Sequence, residues 1–140
     1  MFETILLAVD GSEHGQHAAK IAGDLARAVK AKDLRIVVAF EAIPTYLGEP
    51  ILSQAITHRK MEAEEILKKA QIVIGSVPSE VNTEVVEGPI AEAIIDVASV
   101  RKSELIVMGS RGLGRLAGAV MGSNSQKVVS HAPCPVLVVR

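Results

Sequence analysis

Short apolar runs alternate with segments of helical periodicity along the whole chain, and this alternation constrains the fold more than any other feature. Five apolar runs indicate strands, at residues 4–9, 36–40, 81–86, 105–108 and 135–139. Between them, apolar residues recur at helical spacing within residues 13–30, 51–74, 88–100 and 123–131. The predicted inward face of the first helix includes Ile21, and that of the third helix extends to Val100. The alternation predicts an α/β fold with a single doubly wound open sheet of five parallel strands and helices on both faces.

Connection rules narrow the topology further. Right-handed crossovers leave few arrangements of such a sheet, and we expect the strand order 3-2-1-4-5. The chain then changes direction across the sheet between strands one and four, where a crevice opens. Asp10 follows the first strand, and residues 109–125, the glycine-rich segment, follow the fourth. Both segments are therefore predicted to meet in one crevice.

Composition excludes several classes of function. A chain of 140 residues with 49% hydrophobic residues suits a single domain over 1–140. A net charge of −1 provides no basic surface for nucleic acid, so no nucleic-acid partner is expected. No apolar run approaches the ~18 residues of a membrane span. With no leader at Met1 and Cys134 as the only cysteine, we expect no membrane association and a cytoplasmic location.

The glycine-rich segment can bind phosphate. Gly109 and Gly112 come directly after the fourth strand, and Gly122 precedes the run 123–125, Ser-Asn-Ser, at the start of a helix. Backbone N–H groups and the helix dipole favour an anion there, and the serine hydroxyls can contact phosphate oxygens. Arg111 can add positive charge. A flexible surface loop whose serines only cap a helix is the alternative, and it stays open.

Better-known phosphate and catalytic motifs do not fit. The chain has no Gly-Lys pair, which a Walker loop requires. Residues 112–117 have the spacing of a dinucleotide fingerprint, but no acid follows about 20 residues later. No G-x-S-x-G elbow occurs.

Asp10 can accept hydrogen bonds from ribose hydroxyls or hold Mg²⁺, and an Asx turn is an equally good interpretation.

Four residues carry a more specific pattern: Gly109, Gly112, Gly122 and Ser123 follow the spacing Gly, two residues, Gly, nine residues, Gly, Ser. With the opening 5–12, the Glu-Gly-Pro at 87–89 and the closing 134–139, the chain resembles the universal stress protein family over all 140 residues. The intact motif resembles the members that bind ATP. The resemblance therefore implies an ATP site, with Mg²⁺ accompanying the nucleotide at Asp10.

The resemblance also implies roles for individual residues. It implies that Asp10 lies near the ribose, that Ala39 and Phe40 flank the adenine, and that Met108 and Gly109 approach the nucleoside. It implies that Gly112, Gly122, Ser123 and Ser125 surround the phosphates. Asn124 departs from the small apolar residue often found there, although its backbone N–H can still serve. Phe40 is also larger than the usual aliphatic residue, and either difference alters the fit of the base.

Dimerisation is the other implied property. The family commonly forms homodimers through the last strand, here 136–139. An apolar strand at the edge of a sheet offers unpaired backbone groups to a second chain, which gives the expectation a physical reason.

The function that we expect is an adenine-nucleotide-binding stress-response regulatory module acting as a homodimer. Two alternatives remain: a slow ATP hydrolase, and a dimeric scaffold that binds no ligand. Efficient hydrolysis is not expected, because Asp10 is the only obvious acid in the predicted crevice. His14 and His17 are interpreted as surface histidines, and Cys134 as a buried thiol rather than a nucleophile paired with His131.

Overall fold

The computed structural model describes residues 1–111 and 121–140. Strands and α-helices alternate along them: β1 Thr4–Ala8, α1 Glu13–Val29, β2 Asp33–Phe40, α2 Ile51–Ile74, β3 Glu80–Glu87, α3 Ile90–Val100, β4 Leu105–Gly109, α4 Ser123–His131 and β5 Val136–Val139. All neighbouring strands are parallel, in the order β3-β2-β1-β4-β5. The predicted α/β fold with strand order 3-2-1-4-5 is therefore confirmed.

The sheet is covered by an apolar layer on each face. On one face, α1 and α2 pack over alternate residues of the central strands, such as Leu7 and Ile36. On the other face, α3 and α4 cover the residues in between, such as Leu6 and Val37. Because both faces are buried, β1 is a continuous apolar run without polar alternation. None of the described helices is long and apolar enough to cross a membrane.

β2 begins at Asp33, before the predicted start at Ile36. The Asp33 N–H donates to the Glu3 oxygen at 3.0 Å, which brings the start of β2 beside β1. Asp33 and Arg35 are polar, so the first part of the strand is hidden from a search for apolar runs. Arg35 is accommodated because its guanidinium pairs with Glu84 of β3 at 3.1 Å.

Two residues assigned to the inward faces of the helices are in fact exposed. Ile21 of α1 is 39% exposed and Val100 of α3 is 75% exposed, so their predicted burial is wrong. α1 instead buries small side chains, including Ala18, Ala19 and Ala22. A helix that packs through alanines lies close to its neighbours, and the larger Ile21 falls outside the contact. Val100 is the last residue of α3.

α1 and α2 approach closely at Gly23. A Cβ at this position would lie 2.9 Å from the Ile74 oxygen and 3.1 Å from the Ile74 Cα. Arg27, one turn later, donates from Nη1 to the carbonyl oxygens of Ile74 and Ser76 at 2.8 and 2.9 Å. The end of α2 therefore rests on the backbone of α1, where no side chain fits.

We expect Gly23→Ala to lower the free energy of unfolding by about 1–3 kcal/mol, because the added methyl group forces backbone atoms apart. In a helix interior with free space around the glycine, the same change would raise the free energy of unfolding by roughly 0.5–1 kcal/mol. Urea unfolding followed by circular dichroism measures the difference. Ala28→Gly, on the exposed side of α1, calibrates the helix-propensity contribution. A Gly23→Ala variant as stable as the parent would contradict the packing argument.

Candidate functional site

A cavity of about 440 Å³ opens at the carboxyl ends of β1, β2 and β4, beside the first turns of α3 and α4. Ten of the predicted site residues line it: Asp10, Ala39, Phe40, Met108, Gly109, Arg111, Gly122, Ser123, Asn124 and Ser125. Gly112, which was also predicted, lies outside the described residues. The turn after β1 and the segment after β4 thus meet in one crevice, as the strand order requires.

Asp10 forms a turn at the start of α1 and also borders the cavity. Its Oδ1 accepts a hydrogen bond from the Ser12 N–H at 2.9 Å, which is an Asx turn. Ser12 then caps α1, since its Oγ accepts from the Gly15 N–H at 3.1 Å. The half-buried Asp10 carboxylate also lines the cavity. One carboxylate oxygen is therefore bound to the turn, while the side chain still borders the cavity.

The N-terminus of α4 opens into the cavity without a side-chain cap. Gly122 is the N-cap residue and supplies no capping side chain. The N–H groups of Ser123, Asn124 and Ser125 have no acceptor among the described residues, as is usual in a first helical turn. The buried Ser125 hydroxyl donates to the Gly109 oxygen at 2.8 Å, which fastens α4 to β4. The free donors at this end are therefore mainly backbone N–H groups.

Arg111 brings positive charge to the same end of the cavity. It is half-buried, and its Nε is buried with no hydrogen-bond partner among the described residues. Its carbonyl oxygen accepts a long hydrogen bond of 3.5 Å from the Ser12 hydroxyl. A buried guanidinium N–H without an acceptor costs free energy. Because the Nε is buried, Arg111 contributes to the cavity mainly through its positive charge.

Gly109 is required by packing as well as by the cavity. A Cβ there would lie 2.8 Å from the His14 Cβ, 2.9 Å from the His14 carbonyl carbon and 3.0 Å from the Gly15 nitrogen. The start of α1 therefore rests directly on the end of β4. The structure thus provides a packing reason for a glycine that the sequence motif associates with nucleotide binding.

Ser110 connects the cavity to the edge of the sheet, and the sequence contained no signal for it. Its carbonyl oxygen accepts from the Gly122 N–H at 2.7 Å, and its own N–H donates to the Val139 oxygen at 2.7 Å. Its buried hydroxyl lies 2.9 Å from His14 Nδ1. One residue thus joins the start of α4, the edge strand β5 and α1.

The wall of the cavity beside β2 includes residues that sequence reasoning missed. Val38 of β2, Ile90 and Ile94 of α3, and Glu62 of α2 all line it. The apolar members came from runs assigned only to the core. Glu62 was assigned no role, because nothing in the sequence shows which side of α2 faces the cavity.

Phe40 lines the cavity at the end of β2 and has a cation above its ring. The Arg59 guanidinium lies 4.5 Å from the ring centroid, within cation–π distance. Arg59 also donates from Nη1 to the Glu41 oxygen at 2.7 Å. The Phe40 ring is therefore held by α2.

The described residues contain no cluster of three or more histidine, cysteine or acidic side chains that could hold a metal ion. The rings of His14 and His17 stack with centroids 6.4 Å apart. His14 Nδ1 pairs with Ser110, and His17 Nδ1 lies 2.9 Å from the Arg140 carbonyl oxygen. These two histidines therefore connect α1 to the neighbouring strands.

Comparison with known proteins identifies the family. A profile described as the universal stress protein family matches residues 1–140. The chain belongs to the universal stress protein family. A universal stress protein of Thermus aquaticus is 48% identical over 140 residues, which cover 100% of both chains. The solved universal stress protein UspA from Lactobacillus plantarum has a TM-score of 0.88 at 29% identity, covering 99% of this chain and 98% of that one.

Two further universal stress protein structures share the fold. One, solved in complex with cAMP, has a TM-score of 0.71 at 24% identity and covers 98% of this chain and 96% of its own. The other, from Archaeoglobus fulgidus and in complex with dAMP, has a TM-score of 0.71 at 20% identity and covers 98% and 97%. At these identities the likeness shows the fold alone.

The environment of Cys134 in this universal stress protein does not activate its thiol. Burial raises the pKa of the half-buried Cys134 thiol, and a hydrogen bond with the Ile106 backbone lowers it by less. His131 is exposed on the last turn of α4. A raised thiol pKa disfavours the nucleophilic thiolate.

We therefore expect iodoacetamide to modify Cys134 at pH 7.5 several-fold more slowly than it modifies free cysteine. The rate should increase as the pH rises, because a thiol with a raised pKa forms thiolate only at higher pH. Mass spectrometry measures the reaction cleanly, since the chain has a single cysteine. The urea-unfolded protein is the control and should react at the rate of free cysteine. Faster reaction of the folded protein would instead indicate activation by a neighbour such as His131.

Proposed function

We propose that this chain is a nucleotide-binding regulatory module of the stress response, which takes ATP with Mg²⁺ in the cavity and acts as a cytoplasmic homodimer. One observation carries the proposal: the uncapped N-terminus of α4 and the apolar residues at the end of β2 border the same cavity. An anion-binding end and an apolar end in one space suit a nucleotide, which has a charged and a flat aromatic part.

The phosphates bind at the α4 end in this proposal. The first-turn N–H groups of Ser123, Asn124 and Ser125 supply donors, and the helix dipole adds a favourable potential. Arg111, which lines the cavity, supplies a full positive charge. Gly122 lacks a side chain, so phosphate oxygens can approach the backbone.

The base binds at the β2 end. Ala39 and Phe40 border the cavity there, and Met108 borders it from β4. A volume of about 440 Å³ falls in the range of roughly 300–1,000 Å³ that is typical of small-molecule sites. Asp10 lies between the two ends, on the turn after β1, where its carboxylate can accept hydrogen bonds from ribose hydroxyls.

Mg²⁺ enters with the nucleotide and not through a preformed cage. Magnesium is commonly held by substrate phosphates, water and one or two carboxylates. Asp10 provides such a carboxylate, with one oxygen bonded to the Ser12 N–H. The described residues offer no larger group of metal ligands, which suits this arrangement.

The complexes of two related folds with cAMP and dAMP support an adenine nucleotide as the ligand class. Binding is a better proposal than efficient hydrolysis. Asp10 and Glu62 are the only acids among the described cavity residues, and neither lies on α4 or the segment after β4. Hydrolysis would require a base that positions water beside the phosphates.

The dimer forms through β5 in this proposal. The N–H groups of Ile106 and Ser110 donate to the carbonyl oxygens of Pro135 and Val139, so alternate residues of β5 pair with β4. The backbone groups of Val136 and Val138 then point away from the sheet, toward a second chain. Because Ser110 joins Gly122 to Val139, a ligand at α4 can influence this edge.

We expect purified, nucleotide-stripped protein to bind MgATP saturably, with about one nucleotide per chain, in calorimetric titration. Ser123→Glu should weaken MgATP binding at least about tenfold, since the new carboxylate faces the phosphates. The variant should fold at least as stably as the parent, because an acid in a first helical turn favours the helix.

Ser130→Glu is the matched control, since Ser130 is exposed in the last turn of the same helix. It should leave MgATP affinity unchanged. An absence of heat with folded parent protein at several temperatures would contradict the proposal and favour a scaffold without this ligand. Equal affinities of parent and Ser123→Glu would contradict the assignment of the phosphate end.

For the dimer, we expect Val138→Pro to shift the protein to monomer while the fold is retained. Proline removes an N–H that points away from β4, and edge strands tolerate proline at such positions. Sedimentation velocity measures the change in assembly. Leu137→Pro is the contrasting variant, because it removes a donor to β4 and should lower thermal stability instead. A Val138→Pro variant that remains dimeric would exclude pairing through β5.

A further inference from the structure

We infer that Glu62 selects the base of the bound nucleotide by accepting a hydrogen bond from an exocyclic amino group. The inference rests on the proposed nucleotide site and adds a recognition residue to it. Glu62 lies on α2, is half-buried and lines the cavity. It is one of only two acids among the described residues that do so, the other being Asp10.

The neighbours of Glu62 on α2 define its position in the cavity. Arg59, one turn earlier, lies over the Phe40 ring at 4.5 Å. Ile66, one turn later, lies beside the β1–α1 turn, with its Cγ1 3.3 Å from where a Cβ of Gly11 would be. Glu62 therefore lies between the end of β2 and the turn after β1. This is the β2 end of the cavity, and β1 separates it from β4 and the start of α4.

The charges of the cavity are thus separated. Arg111 and the α4 N-terminus give one end a positive potential, and Glu62 places a carboxylate in the wall of the other end. A carboxylate in the wall of a site for a polyanion weakens binding unless the ligand presents hydrogen-bond donors to it. Such a wall orients the nucleotide, with its phosphates away from Glu62.

Glu62 remains available as an acceptor. No side chain of the described residues forms an ion pair with it. The nearby cation on the same helix, Arg59, donates instead to the Glu41 oxygen at 2.7 Å and covers Phe40. The partner of this carboxylate is then a group of the ligand.

The walls beside Glu62 favour the base over the ribose as that group. Val38, Ala39 and Phe40 border the cavity at the end of β2 and suit a flat ring. An ionised carboxylate only accepts hydrogen bonds. It can therefore pair with the amino group of adenine, whereas the carbonyl oxygen at the same position of hypoxanthine presents lone pairs to it. ATP and inosine triphosphate hardly differ in shape. They differ at this position and at the adjacent N1, which accepts in adenine and carries a proton in hypoxanthine.

We expect the parent protein to bind ATP more tightly than inosine triphosphate by between roughly tenfold and a hundredfold, the range for a hydrogen bond to a charged group. In Glu62→Gln the ratio should fall to within about threefold, because the amide can accept from an amino group and donate to a carbonyl. Calorimetric titration of both nucleotides measures the ratio. Thermal unfolding checks that the near-isosteric variant is folded.

Glu64→Gln is the matched control, since Glu64 is exposed on the same helix. The Glu64→Gln variant also loses one negative charge, and it should keep the parent's ratio of affinities for ATP and inosine triphosphate. An unchanged ratio in Glu62→Gln would overturn the inference while leaving the nucleotide site intact. dATP is titrated in the same way. If Glu62→Gln loses only the distinction between ATP and dATP, the inference is also overturned, because Glu62 then contacts the ribose. A parent that binds neither triphosphate would refute the proposed function, and the inference with it.

Discussion

The direct contact between the start of α1 and the end of β4 is the constraint on which the site depends. Gly109 allows it, because a Cβ there would collide with His14 and with the Gly15 nitrogen. The contact brings the turn after β1 against the segment after β4, where the Ser12 hydroxyl reaches the Arg111 oxygen. Without it the cavity would lose the contact between Ser12 and Arg111. The same glycine thus meets a packing requirement and lines the cavity.

Much of the fold could be predicted from the sequence, because buried parallel strands are unbroken apolar runs and their helices have separate periodicity. The helices at 51–74 and 123–131 were predicted with the bounds that the structure has. The errors arise from contacts between distant parts of the chain, which a sequence pattern does not show. Asp33 and Arg35 hid the start of β2, since cross-strand partners compensate their polarity. Ile21 was placed inward because periodicity ignores how closely an alanine-rich helix packs.

The site was predictable to the extent that topology brings strand ends together. The strand order places Asp10, Phe40 and the start of α4 at the carboxyl ends of neighbouring strands. The residues that follow each strand are therefore enough to predict the crevice. Residues that face the crevice from a helix could not be anticipated in this way. Glu62 became recognisable only when the rotation of α2 about its axis was known. Ser110 acts largely through its backbone N–H and carbonyl groups. Because nearly every residue type has these groups, the sequence does not reveal this role.

The two edges of the sheet are built differently, and the difference supports an interface at β5. β3 carries exposed Glu80 and Glu87, and charges of this kind on an edge strand oppose pairing with another chain. β5 consists of valine and leucine, and Leu137 is 38% exposed. β5 is also linked to the cavity by hydrogen bonds, because Val139 accepts from the Ser110 N–H and Ser110 accepts from the Gly122 N–H. The open edge and the helix that borders the cavity are therefore joined by one residue, Ser110, which gives the proposed binding site a direct connection to the proposed interface.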